Sequence, residues 1–432
     1  MIQIVEHAPR EGPYAIVRAL EATGLPVRVC RVWAGDRVPD TVDDMVGLVV
    51  ADGPTAADEE FSKHSAALVL LRAALEADVP VLGVCLGAHL LAIAGGGHAV
   101  RPGAGARLGC DDVRTAPAAQ ADPLFAAVSE LLPGAHRHGG TVDLPPGATL
   151  LVGCESHSAL AFRIGDSAWG IRFPLENVVA VEEVGVVAAA LVGGRSEGAV
   201  GVLGAGRSAP VRDAVPSPVL DGVSERFAAL VVARAEQTAT RAFFTRRAAG
   251  WEERFAADGP RYTAATERMG LRPGLRVLDV GCGTGRVLPA LRAQVGDDGV
   301  VLGADLTPAM LAAAVREGRE RDGQLLLADA CRLPLPDGAM DAVFSAGLVN
   351  HVPDPAAALR EWARVTVPDG VLLLFHPSGR AERAARHGRP LDPDDPLAEE
   401  HLRPALRAAG WRLAHYEDAT HHFLARAVRL GD

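Results

Sequence analysis

Residues 279–286 of this 432-residue chain read Asp-Val-Gly-Cys-Gly-Thr-Gly-Arg: an acid, then three glycines at alternate positions. Glycine tolerates positive φ and lets backbone approach a ligand with no Cβ in the way. A helix beginning near Val287 would add free N–H groups behind the turn. The spacing is G-x-G-x-G, not the G-x-G-x-x-G of dinucleotide binders, because Arg286 stands at the third place. Asp305, about 25 residues further on, can accept both hydroxyls of a ribose. Asp329, with the N–H of Ala330, can meet the amino group and ring of an adenine. A second reactive spacing is Gly83-Val84-Cys85-Leu86-Gly87, where small flanks let a tight turn expose a thiol. A helix N-terminus behind that thiol would lower its pKa.

These residues need strands and helices to hold them. In the C-terminal half, apolar runs at 275–280, 299–304, 324–328, 341–345 and 370–375 read as strands, with a helix after the glycine turn reaching about residue 293. In the N-terminal half, runs at 1–6, 27–32, 46–51 and 79–84 alternate with helix-like stretches at 14–23 and 64–77. Both series have the βαβ order of mostly parallel sheets. Ligands of such sheets bind beyond the carboxyl ends of the strands. Residues 98–175 are richer in turns and short strands. Residues 192–217 are rich in Gly, Ser and Pro and read as a loop or linker. Residues 220–255 look helical.

Composition narrows the function. Net charge is −11, which disfavours a nucleic-acid partner. No apolar run reaches the roughly 18 residues that span a bilayer, and the N-terminus lacks a signal-peptide pattern; a cytoplasmic protein without a membrane partner is expected. The six cysteines are scattered, which argues against a zinc site or a disulfide framework. Lys63 is the only lysine, so lysine-based chemistry has almost no candidate.

The glycine turn with Asp279, then Gly303-Ala304-Asp305, Asp329-Ala330 and Leu348-Val349-Asn350-His351-Val352, resembles the class I S-adenosylmethionine-dependent methyltransferases over roughly residues 236–432. The resemblance implies that Gly281, Cys282, Gly283 and Gly285 hold the methionine end of S-adenosyl-L-methionine. It implies that Asp305 holds the ribose and Asp329 with Ala330 the adenine, with Leu306 and Ala346 beside them. His351 is the leading candidate to take a proton from the acceptor, or it orders its loop through a hydrogen bond. His376 is a second candidate. Tyr262 either closes over the cofactor or packs as an ordinary ring. No N-P-P-Y, D-P-P-Y or Pro-Cys pair follows, so a small-molecule acceptor is expected rather than DNA.

The Cys85 turn, the run 47–54, the segment 139–148 and Trp169-Gly170-Ile171-Arg172-Phe173-Pro174-Leu175-Glu176 resemble the class I glutamine amidotransferases over about residues 1–180, with a closing helix at 220–235. The sequence departs from that pattern where its chemistry is made. Pro174 stands at the place of the general base, leaving Glu176 nothing to orient. Asp52 stands where a glycine is usual, and a carboxylate there would repel a developing oxyanion. His89 replaces a glutamine. A substitute base would have to come from His89, His138 or His157, which the spacing does not indicate. Loss of the base should cost orders of magnitude in thiol attack.

The expected fold class is therefore α/β: two doubly wound domains, amidotransferase-like (1–190) and then Rossmann-like methyltransferase (236–432), joined by a Gly/Pro-rich linker and helix (191–235). The expected function is S-adenosylmethionine-dependent methylation of a small molecule, with Cys85 inactive and no metal. Two alternatives stay open: a bifunctional enzyme that also hydrolyses an amide at Cys85, and a module that binds the cofactor without turnover. A homo-oligomer is compatible with this reading. The acceptor, and whether O, N or C is methylated, is not encoded in these motifs.

Overall fold

The computed structural model describes residues 1–9, 14–51, 53, 64–100, 113–128, 141–154, 157–173 and 218–431. The chain divides into two compact units, Met1–Ala235 and Glu236–Asp432. Both are α/β. Asp52, His138, Pro174, Glu176, the 139–140 pair and the Gly-rich stretch 192–217 lie outside the described residues.

In the first unit the described residues form an eight-stranded sheet, ordered Val27–Arg31, Ile2–Glu6, Gly47–Val50, Val81–Val84, Ala168–Ile171, His157–Ile164, Thr149–Cys154, Arg114–Thr115. The first five strands pair in parallel and the remainder antiparallel. Alternate strand residues feed two cores, as a period-two element facing both ways must. Ile2, Ile4 and Val49 pack with Ile16 and Leu20 of helix Tyr14–Glu21 and with Phe227 and Val231. Val5, Leu48 and Val50 pack with Leu70 and Leu71 of helix Ser65–Glu76 and with Leu90 and Leu91 of helix Leu86–Ala94. Part of the stretch expected to join the domains is therefore core: Val223, Phe227, Ala228 and Val231 are buried. They lie on the single helix Pro218–Thr245, within which the boundary between the units falls.

Against the expectation from scattered cysteines, Cys154 is disulfide-bonded, while Cys30, Cys85, Cys282 and Cys331 form no disulfide.

The second unit has a seven-stranded sheet among the described residues, ordered Gln324–Leu327, Val300–Asp305, Arg276–Val280, Met340–Ala346, Thr366–His376, His422–Arg429, Trp411–Ala419. The first five pair in parallel; the last two are antiparallel additions. The C-terminal pair was missing from the strands expected on sequence, because polar residues interrupt both runs. Leu278, Val280, Val343 and Leu372 face one core with Trp362 and Trp411, and Val277, Phe344 and Leu373 the other with Leu288 and Leu291. Strand order reverses direction between Arg276–Val280 and Met340–Ala346, so their carboxyl ends open a crevice.

No helix among the described residues is long and apolar enough to cross a membrane.

Candidate functional site

The crevice is a cavity of about 660 Å³ built wholly from the second unit. Asp279, 2% exposed, is the penultimate residue of strand Arg276–Val280 and lines the cavity. The turn that follows holds Gly281, Gly283 and Gly285 at φ of +73°, +55° and +71°, a region that side-chain-bearing residues reach only with strain. A Cβ on Gly281 would stand 2.9 Å from Leu348 Cδ2, whereas one on Gly283 would meet nothing within 4 Å. Gly283 therefore presents open backbone to the cavity. The turn is tied to the neighbouring strand: Gly281 and Cys282 donate N–H to the Ala304 carbonyl at 2.8 and 3.0 Å.

Asp305 sits at the carboxyl end of that strand. Its Oδ2 accepts the Gly283 N–H at 2.9 Å and its Oδ1 the Thr307 N–H at 2.8 Å. With about four lone-pair sites, the carboxylate keeps capacity for a ligand hydroxyl. Burial raises the Asp305 pKa against those hydrogen bonds. Burial, and then Asp305 itself, push Asp279 well above the usual carboxylate range. Burial also raises the Cys282 thiol, with the two carboxylates adding to it. Asp329 accepts from Cys331 N–H at 2.8 Å and from Gln237 Nε2 at 2.7 Å. Leu306, Ala330 and Ala346 also line the cavity.

The opposite part of the cavity is aromatic and basic. Tyr262 packs edge-on against Phe375 with centroids 5.2 Å apart, and burial pushes its hydroxyl up to about 12. His351 closes a short helical turn, Val349–His351, and meets Phe244 edge-on at 5.2 Å. Its side chain is open to the cavity, yet the protein packed around it, and then Arg383, hold the imidazole below the usual histidine value. Burial, and then Arg383 and Arg386, lower His376 too, against a hydrogen bond to Ser378; its Nδ1 lies 2.9 Å from the Ser378 carbonyl oxygen. The residues selected on sequence in this unit line one cavity, except Gly285, which packs against Leu288 and Arg319 and serves the turn rather than the cavity wall.

Several contributors were not singled out on sequence. Glu252 accepts from Thr284 Oγ1 and lies 3.3 Å from Arg286 and 3.9 Å from Arg319, holding the far side of the glycine turn. Gln237, Phe244, Trp251 and Arg383 also line the cavity. The cue available for the first three was an aromatic-rich amphipathic helical stretch before the glycine motif.

In the first unit, Cys85 has φ 50° and ψ −103° between strand Val81–Val84 and helix Leu86–Ala94. A Cβ on Gly87 would stand 2.0 Å from the Val50 carbonyl oxygen, and one on Gly83 2.5 Å from that of Gly87. His89 Nδ1 lies 3.0 Å from the Cys85 carbonyl oxygen, an acceptor to which that nitrogen donates. Burial, and then Arg172, bring the His89 pKa down to about 4. Arg172 is fully buried; desolvation lowers it to about 10, and Cys85 opposes the shift. His7, which sequence reasoning passed over, packs against the site of Gly53 and beside His64, and burial brings it to about 4.

Residues 278–374 match the methyltransferase domain family, and residues 13–173 the class-I glutamine amidotransferase family. A ubiquinone/menaquinone biosynthesis C-methyltransferase of Bordetella avium is 33% identical over 38% of this chain and 60% of its own length. The 27-O-demethylrifamycin SV methyltransferase of Amycolatopsis mediterranei is 33% identical over 29% of this chain and 48% of its own length. The chain thus spans about half to three fifths of these curated relatives. Among solved structures, a glutamine amidotransferase of Methylobacillus flagellatus is 22% identical over 54% of this chain and 94% of its own, with a TM-score of 0.39.

Proposed function

Because the chain carries a class-I glutamine amidotransferase domain followed by a methyltransferase domain, we propose that it transfers the methyl group of S-adenosylmethionine to a small-molecule acceptor in the cavity of the second unit. The observation that carries this reading is the convergence of Asp279, Asp305 and Asp329 on one cavity with a glycine turn whose Gly283 backbone is open to a ligand. A nucleoside with an ammonium-bearing tail fits that set. Asp279 offers a buried carboxylate to the ammonium, Asp305 its remaining lone pairs to the ribose hydroxyls, and Asp329, held by Gln237, accepts from the adenine amino group. When bound, the sulfonium supplies an electrophilic methyl group. The chain's own work is to hold donor and acceptor in line. His351, kept neutral near pH 7, takes the acceptor's proton. Relatives named for a demethylrifamycin and for quinone biosynthesis support a small acceptor. Calorimetry of the full chain with S-adenosylhomocysteine tests the reading. Absence of binding, or binding unaltered by Asp305→Ala, would refute it.

The amidotransferase-like domain is proposed to lack glutaminase activity. Pro174 at the place of the base supports this. So does the tethering of His89 to a backbone carbonyl in a setting that keeps it a weak base. The retained elbow conformation of Cys85 favours the second reading, amide hydrolysis at that thiol. Ammonia release from glutamine, abolished by Cys85→Ala, would establish the second reading and overturn the first.

A further inference from the structure

The cavity wall carries charges of both signs. Asp279, Asp305 and Asp329 line its strand-end side; Asp258 and several arginines line it too, among them Arg383 and Arg386 from helix Arg380–Arg386. Arg383 lines the same cavity as His351 and His376. It is fixed from behind: its Nη2 lies 3.0 Å from Oδ2 of Asp395, a carboxylate only 5% exposed. The same oxygen accepts from Arg380 Nε at 3.0 Å, and Oδ1 takes the Leu397 N–H at 2.9 Å. Asp395 is thus oriented by three donors. Arg386 pairs with Glu382 at 2.7 Å. Neither Asp395 nor Glu382 lines the cavity. Both arginines thus line the cavity while the carboxylates that pair with them do not. Asp258, the acid felt by His376, is paired with Arg261 at 3.2 Å. Phe244, Trp251 and Phe255 supply aromatic wall in the same cavity.

We infer that Arg383, braced by Asp395, and Arg386 bind an anionic group on an aromatic acceptor, a carboxylate or a phosphate, and so orient that acceptor beside His351. A planar guanidinium held by a carboxylate on one edge keeps its other N–H groups for a second anion in fork geometry. Rings that take a flat apolar body complete the fit. This inference rests on the methyl-transfer reading for the acceptor's role; the anion site itself is testable separately.

The experiment titrates full-length protein, with and without saturating S-adenosylhomocysteine, with benzoate, phenyl phosphate and neutral benzamide, followed by ligand-observed NMR. At least one anion should bind about tenfold more tightly than benzamide, and which one it is identifies the anionic group. Arg383→Gln and Arg386→Gln should each weaken anion binding several-fold and leave benzamide and S-adenosylhomocysteine unaffected, with Arg383→Lys retaining part of the preference. Arg386 is more than half exposed, so its variant keeps the test decisive if Arg383→Gln misfolds. Equal affinity for benzoate, phenyl phosphate and benzamide, or anion affinity indifferent to both substitutions, overturns the inference. Failure of S-adenosylhomocysteine to bind would instead strike the methyl-transfer reading, the charge preference being read on the cofactor-free protein.

Discussion

The backbone N–H of Gly283 donates to Oδ2 of Asp305 at 2.9 Å, across 22 residues of sequence. One carboxylate thereby fixes the shape of the glycine turn while standing where a ligand's hydroxyls would arrive. On the proposed reading, positioning and recognition share this side chain, so the two cannot be altered independently here.

Asp305→Ala is expected to weaken S-adenosylhomocysteine binding by about 1.5–3 kcal/mol, the range for hydrogen bonds to a charged group, or roughly 10–150-fold. Gly283→Val should weaken it as well, because position 283 has φ +55° and faces the cavity. Calorimetry on both variants checks this. Wild-type affinity in either one contradicts the assignment.

On the proposed reading, Asp279 trades stability for binding. Burial and Asp305 raise its folded pKa well above the ordinary 3.8. The native state therefore holds a proton that the unfolded chain has already released. That contribution to stability is complete below pH about 4 and is lost as pH rises toward the folded value. Asp279→Asn should raise the melting temperature of the cofactor-free protein at pH 7, by about 2–4 °C for each kcal/mol relieved. The gain should shrink toward pH 4, and cofactor affinity should fall. Scanning calorimetry between pH 4 and 8 reads the first effect and titration the second.

His351 should set the acid limb of the rate profile. Its pKa is lowered from 6.5, so the imidazole is neutral at pH 7 and the rate should fall only as pH drops below that ordinary value. His351→Ala should lower kcat by about 10²–10⁴ and spare S-adenosylhomocysteine affinity. An unchanged acid limb in this variant would transfer the role to His376.

The first unit should respond to acid in the opposite sense to Asp279. His7 and His89 are both brought from 6.5 to about 4 by burial. The unfolded chain binds their protons first, so stability is full above pH 6.5 and is lost as pH falls toward 4, by up to about 3 kcal/mol for each group. Thermal melts of His7→Phe and wild type across that interval should show a shallower acid loss in the variant.

The sequence displayed what local pattern can display. Asp279, Gly281, Gly283 and Gly285 announce a strand, a turn needing positive φ and a helix, because each of those requirements is written in adjacent residues. Asp305 and Asp329 were legible because each closes an apolar run. Glu252, Gln237 and Arg383 were not. Their partners, Arg286, Asp329 and Asp395, lie 34, 92 and 12 residues away, and such pairing is set by topology. The strands Trp411–Ala419 and His422–Arg429 escaped for a related reason. In Trp411–Ala419 only Trp411 and Leu413 are buried, and in His422–Arg429 the buried stretch at 423–425 is short and bounded by His422 and Arg426.

Gly83 and Gly87 carry a consequence for reading ancestry from this chain. Any side chain at either position would collide with backbone, at 2.5 Å and 2.0 Å. Both glycines are therefore demanded by close packing of turn, helix and strand, whether or not a thiol reacts between them. A lineage could abandon the reaction and still be unable to erase the motif. The residue at liberty to drift is Cys85, whose φ of 50° costs a side-chain-bearing residue on the order of 1–3 kcal/mol. Glycine would relieve that strain. The identity of the residue between the two glycines, rather than the glycine frame, is thus the record of whether chemistry persists there.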